Sequence, residues 1–374
     1  MDSYDKLGDK RPAMGAARAS SRCKTFMIFF FVIVGAILMI ALNILQSRET
    51  LLEDSPLSDH LLRSIMAEIF NSNNNDSAEQ SQTSNLTAVI TEPTLSVGKI
   101  NESTCSQKAT NRGPHQRVVS FSYYGGITSK RGYFSGIEEN AKLIQKIYPN
   151  WTMRVYHDIK DEGRFHQILD DLEQKFGKVL DLCFVGNLPI FGNILGTQQN
   201  MWRFLSLADP LVDKSLFRDL DSSLNEREAS AVQEWLNSTY PLHVMRDHPY
   251  HYHPPILAGM WGAQLDLGHR DLWKEALRKM MEMGKVAGNK GLDQGALQAV
   301  VWPLTKTKGF LLQHDSFTCD KGEFIVAGEV RHFPKCRTPK VGGNFVGSRK
   351  GVDTKPITEP CPKKCRARER CVQC

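Results

Sequence analysis

The sequence has no internal repeat, no H-E-x-x-H, and no strong charge of one sign. The first absence sets aside a repeat array, and the second leaves a zinc hydrolase without a placed general base. On the third count, 47 Lys and Arg stand against 41 Asp and Glu, a formal net charge of +6 over 374 residues. The basic residues collect at the two ends of the chain, so no nucleic-acid-binding face is indicated. A hydrophobic fraction of 41% with 24% charged residues excludes a wholly disordered or fibrous chain. The length allows two ordinary domains, or one large domain with appendages.

Charge is missing altogether from residues 25–45, TFMIFFFVIVGAILMIALNIL. As a helix this run would reach about 30 Å, the thickness of a bilayer core. Lys6, Lys10, Arg11, Arg18, Arg22 and Lys24 precede it, whereas only Arg48 and Arg63 follow closely. The positive-inside rule then predicts a cytosolic tail at 1–24 and a lumenal chain beyond the span. No small-x-small cleavage site follows the run, which favours an uncleaved signal anchor over a signal peptide. Sequons at Asn75, Asn85, Asn101, Asn150 and Asn237 fit a lumenal body. So do the cysteines: Cys23 is placed beside the membrane, and the other eight, an even number, can pair in an oxidising compartment.

Residues 46–116, rich in Ser, Asn, Gln and Thr, read as a stem. Within it Leu57, Leu61, Leu62, Ile65 and Ile69 share one helical face, a stripe suited to pairing two stems in a homodimer or to meeting lipid. A body at 117–350 opens on RVVSFSY and alternates strand and helix patterns, which argues an α/β fold with a mostly parallel sheet. Ser223 and Glu226 form a candidate capping box for one of its helices. The tail at 351–374 is basic and carries Cys361, Cys365, Cys371 and Cys374. Disulfides are the expected fate of these four, with three pairings open.

Asp219 and Asp221 end a short apolar pair, Leu216-Phe217, where strand gives way to loop. Ligands of open α/β sheets sit outside such carboxyl ends. Two carboxylates one residue apart offer hard oxygens to Mg²⁺ or Mn²⁺, and such an ion neutralises a departing diphosphate. A solvated turn before a capped helix explains the same D-x-D, and Lys214 and Arg218 leave the strand's boundary open. His248, His251 and His253, with Asp247 beside them, offer imidazoles to zinc, although Pro249, Pro254 and Pro255 argue for an irregular loop.

The phrases VVSFSYYGG, YPNWTMRVYHD, RDLDSSLNEREASAVQEWL, MRDHPYHYHPPILAGMWG and LDQGALQAVVWP, in that order, resemble Golgi-type glycosyltransferases of the GT-A fold with a DxD motif. The resemblance runs from about Arg117 to Gly347. It implies a GT-A-like, Rossmann-type body on a type II Golgi membrane protein, using a nucleotide sugar, UDP first, with Mn²⁺ or Mg²⁺ and a glycan or glycoprotein acceptor. It also implies roles. Asp219 and Asp221 would hold the metal and donor diphosphate, with His314, or less readily His332, as a third ligand. Arg203 would approach the donor, and Gly259, Trp261 and Gly262 would shape the pocket, Trp261 as a flat face for a sugar. Asp293 would bind an acceptor hydroxyl or act as base, and Asp247 would face the donor sugar or serve as the base instead. Two other readings stay open: a non-catalytic lumenal glycan- or protein-binding protein on the same fold, and a zinc-dependent hydrolase.

Overall fold

The computed structural model describes residues 101–366 and Cys371, apart from short stretches at 126–132, 161, 163, 253–254, 286–290, 320–326 and 339–341. The expected anchor at 25–45 and residues 46–100 of the expected stem lie outside the described residues. Among the described residues no helix is long and apolar enough to cross a membrane.

Eight strands form one sheet in the order β3-β2-β1-β4-β6-β5-β7-β8. They are β1 (Gln116–Tyr123), β2 (Thr152–His157), β3 (Leu180–Phe184), β4 (Val212–Phe217), β5 (Leu242–Arg246), β6 (Trp261–Gln264), β7 (Leu311–Asp315) and β8 (Glu329–Arg331). All neighbours run parallel except around β6, which is antiparallel to both β4 and β5. The sheet is thus α/β and mostly parallel, as the alternation of patterns predicts.

Side chains of β1 go alternately to two cores. Val118 joins a cluster with Trp202, Trp261, Trp273 and Met280, while Val119 and Phe121 join one with Ile137, Ile144, Leu172 and Trp235. The first face is covered by a 3₁₀ helix (Gln199–Ala208) and helix α5 (Arg270–Gly284), the second by α2 (Tyr133–Ile147), α3 (Arg164–Phe176) and α4 (Glu226–Leu236). Helices on both faces explain why the strands read as continuous apolar runs.

Several boundaries differ from the sequence reading. The fold reaches back into the segment expected as stem. Helix α1 (Gln107–Asn111) is ordered, Cys105 is bonded to Cys183, and buried Ser103 donates to Asp209 at 2.6 Å. Strand β4 begins at Val212, four residues before the apolar pair; Lys214 reaches Asp266, and buried Arg218 donates to Glu228 at 2.7 Å, so neither charge breaks the strand. The cap of α4 is Asn225, accepting from Glu228 N at 2.9 Å, and not Ser223. Two of the four tail cysteines pair outside the tail, Cys365 with Cys319 and Cys371 with Cys336, and Cys361 is also bonded in a disulfide. The tail is therefore stitched to the body. The three described sequon asparagines, Asn101, Asn150 and Asn237, are all exposed.

Candidate functional site

The strand order reverses between β1 and β4, and ligands of open α/β sheets bind at such a switch point. The 3₁₀ helix crosses there. Ser120 Oγ of β1 donates to the Arg203 carbonyl at 2.6 Å, and Arg203 N donates to Ser122 Oγ at 2.9 Å. These bonds fix the buried Arg203 side chain over the end of β4.

Arg203 joins two distant phrases of the sequence. Its Nη1 donates to Asp219 Oδ1, just beyond β4. Its Nη2 donates to Asp293 Oδ2 at 2.6 Å, in the first turn of helix α6 (Leu292–Ala296). Burial alone would lower the guanidinium's pKa, but the two carboxylates outweigh it and raise it, so Arg203 stays charged. Asp293 is further held by Gln294 N, which donates to its Oδ1 at 3.0 Å. The Asp219 side chain keeps 45% of its surface exposed, whereas that of Asp293 is nearly closed off.

These residues line a cavity of about 600 Å³. Gly259 forms part of its wall, where a Cβ would overlap the Asp219 carboxylate, so the glycine makes room for that side chain. The lining also includes His248, His251, Phe345, Gly347, Arg349 and Asp353. Both imidazoles accept at Nδ1, His248 from Tyr250 N at 3.2 Å and His251 from Asp247 N at 3.3 Å, which places the ring proton on Nε2. Burial, with His248 alongside, lowers the His251 pKa to about 4, and burial lowers that of His248 too. Both rings are neutral donors near pH 7.

Other expected site residues stand elsewhere. Asp221 is half-buried and does not line the cavity; its carbonyl accepts from Lys350 N at 2.8 Å, next to a bridge between Ser222 and Arg349. Asp247 is enclosed: its carboxylate accepts from Arg227 twice at 2.8 Å, from Arg337 at 2.7 Å, from Ser316 at 2.6 Å and from Val346 N at 2.9 Å. Burial would raise its pKa, yet the arginines hold it at about 2, so it is neither open to a donor sugar nor a base. His314 is buried with Nδ1 2.8 Å from His243 Nε2 and Nε2 facing Glu234, and joins no metal set with Asp219. His332 does not line the cavity either. Trp261 is fully buried against Phe217, at 4.1 Å between ring centroids, and offers no face to a sugar. Gly262 serves packing, since a Cβ there would sit 2.7 Å from Leu216 Cδ2. His253 lies outside the described residues, and among those described no three His, Cys, Asp or Glu side chains gather to hold a metal ion.

Sequence reading missed Arg349 and Asp353, which fall at the boundary drawn for the tail. Their signal is faint. Gly343, Gly347 and Gly351 all take positive φ, the turns that fold this segment back on itself.

No protein-family model matches the sequence, and no curated protein sequence matches it. Solved structures do align. One is S. aureus TarS (residues 1–349), at 11% identity and TM-score 0.33, over 50% of this chain and 55% of that one. A second is a glycosyltransferase involved in the glycosylation of the major capsid of PBCV-1, at 13% identity and TM-score 0.29, over 59% and 94%. A third is the apo-form glycosyltransferase GlyE of Streptococcus pneumoniae TIGR4, at 15% identity and TM-score 0.32, over 50% and 43%. The alignment spans about half the length of TarS and less than half of GlyE.

Proposed function

We propose that the protein is a glycosyltransferase that moves a sugar from a nucleotide-sugar donor, UDP-linked in the first instance, to a hydroxyl of a glycan or glycoprotein. The observation that carries this reading is the Asp219–Arg203–Asp293 bridge lining a cavity at the switch point of the sheet. Arg203 meets the charge of the donor's phosphates while fixing both carboxylates. Asp293, held by Arg203 and Gln294 N, orients a sugar hydroxyl through its remaining lone pairs.

The donor set suits a divalent ion of the kind held by one or two carboxylates and completed by substrate phosphates, which needs no three-residue protein cage. Asp219, with the room Gly259 leaves it, would hold such an ion together with the donor's phosphates. The ion when bound neutralises the departing diphosphate. His248 and His251 donate from Nε2 to phosphate or sugar oxygens. For location, the proposal is a single-pass type II Golgi protein anchored by residues 25–45, with its body in the lumen. The disulfides and the exposed sequons support that placement.

Calorimetric titration of the full-length protein with UDP, GDP and CMP, with and without Mn²⁺, tests the reading. UDP is expected to bind in a Mn²⁺-dependent way, and Asp219→Asn to weaken binding by at least about tenfold, about 1.4 kcal/mol. Absence of nucleotide binding by folded protein would remove the enzyme and leave a glycan- or protein-binding role.

A further inference from the structure

A second cavity, of about 410 Å³, opens beside the first, between residues 248–250 and the segment 352–359. The two share His248, Tyr250, Phe345 and Asp353 as a common wall. We propose that this groove is the acceptor subsite, and that its occupant is an uncharged sugar ring of a glycan stacked on Tyr250. The proposal rests on the glycosyltransferase reading and adds the acceptor's chemistry to it.

Three observations carry it. Tyr250 is 77% exposed and Val352 58% exposed, the highest values for large apolar side chains among the described residues, and both line this groove. An exposed ring beside a polar cavity presents a flat apolar face and a hydroxyl tip, as a pyranose with one apolar face requires. The Tyr250 ring is braced, with the His248 ring 5.2 Å away and Phe345 packed at 4.7 Å on His248, so little ordering is left to binding. Next, the groove's charges are Asp353 and Glu359 against Lys355. Carboxylates accept from sugar hydroxyls and repel phosphate, sulfate or a carboxylated ring, so the groove disfavours an anionic occupant. Lastly, Pro249 and Pro356 in the lining lack the N–H donors that an added peptide strand uses, which favours a sugar over an extended peptide.

Asp353 stands where the cavities meet, and its carboxylate is oriented by Arg349, whose N donates at 2.6 Å and Nε at 3.3 Å. It is placed to accept from the hydroxyl that lies nearest the donor.

The test uses the full-length chain in a detergent without a sugar headgroup, saturated with UDP. Saturation-transfer NMR and titration follow a panel of methyl glycosides of glucose, galactose, mannose, fucose, N-acetylglucosamine and N-acetylgalactosamine. At least one glycoside is expected to bind. Tyr250→Ala and, separately, Val352→Glu should weaken it tenfold or more, and Tyr250→Phe should restore it, with UDP affinity changed less than threefold in Val352→Glu, whose side chain lines the groove and not the first cavity. Glycoside binding that ignores both substitutions overturns the proposal, as does UDP binding without any glycoside. Binding of Ser/Thr peptides in place of glycosides, lost in Tyr250→Ala, overturns it in favour of a protein acceptor. Failure of UDP to bind, with Tyr250-dependent glycoside binding intact, sinks the transferase reading and leaves the groove a glycan site.

Discussion

Gly259 and Trp261 stand two residues apart, one against the cavity and the other inside the core. A methyl at 259 would overlap the Asp219 carboxylate and displace it. Gly259→Ala should therefore lower UDP affinity about tenfold, roughly 1.4 kcal/mol, while the melting temperature barely moves. Trp261→Ala should do the reverse. It empties a site among Phe204, Phe217 and Trp273 and costs about 3–5 kcal/mol, read by denaturant unfolding. A Trp261→Ala protein of wild-type stability that loses only sugar affinity would return Trp261 to the pocket. The contrast shows which residues sequence could place. Arg203, Asp219 and Asp293 were legible because a strand end and a helix start are local signals. Asp247, His314 and Trp261 were not. They sit in or beside strands buried on both faces, where residue type does not say which distant partner, Arg337 or His243 for instance, will enclose the side chain.

At the scale of elements, the segment from Cys336 to Cys371 is the least regular part of the body and yet builds a wall of the cavity. Its hold on the rest of the body comes from the Cys319–Cys365 disulfide, the buried Arg337–Asp247 pair, Val346 N on Asp247 and the Ser222–Arg349 bridge, while Cys336–Cys371 closes the segment on itself. Each bridge contributes about 2–4 kcal/mol through loop closure. Cys319→Ala with Cys365→Ala, or mild reduction, should loosen this wall. UDP affinity should fall at least fivefold and proteolysis should begin between 340 and 360, while far-UV circular dichroism keeps its strand and helix signal. Loss of the whole spectrum would instead make the bridges a condition of the sheet itself. Strand β1 was readable from the β-forming run RVVSFSY, and the mostly parallel sheet from the alternation of strand and helix patterns. The wall was not, because turns closed by Gly343 and Gly347 carry no period, and cysteine spacing does not encode connectivity. Helix α6 passes into a π turn at Leu297–Val301 and a 3₁₀ turn ending at Lys306.

At the scale of the whole molecule, several buried charges of the described residues meet opposite partners. Arg154–Asp209, Arg218–Glu228, Arg227–Asp247 and Arg246–Asp315 are all buried, and removing one member of such a pair costs about 3–5 kcal/mol. His243 and His314, buried, and His251, partly buried, are exceptions, since their pKa values are lowered and the rings stay neutral. His251 is lowered to about 4 from 6.5 by burial and by His248, against the opposing charges of Asp247, Asp353 and Asp315. The unfolded chain then takes up a proton near pH 6.5 that the folded chain refuses until about 4. Stability is full above 6.5 and falls as pH drops through that window, by on the order of 3 kcal/mol for this residue. His243 and His314, also lowered mainly by burial, add losses of the same sign. Asp247, held at about 2 against a usual 3.8, contributes stability that is lost only below about pH 4. Urea midpoints measured from pH 7.5 to 4 should therefore decline from about 6.5 downward, and His251→Gln should flatten part of that decline. A flat profile would place His251 in open solvent. The wall it forms with Phe345 would then be absent, and with it the enclosure of the first cavity.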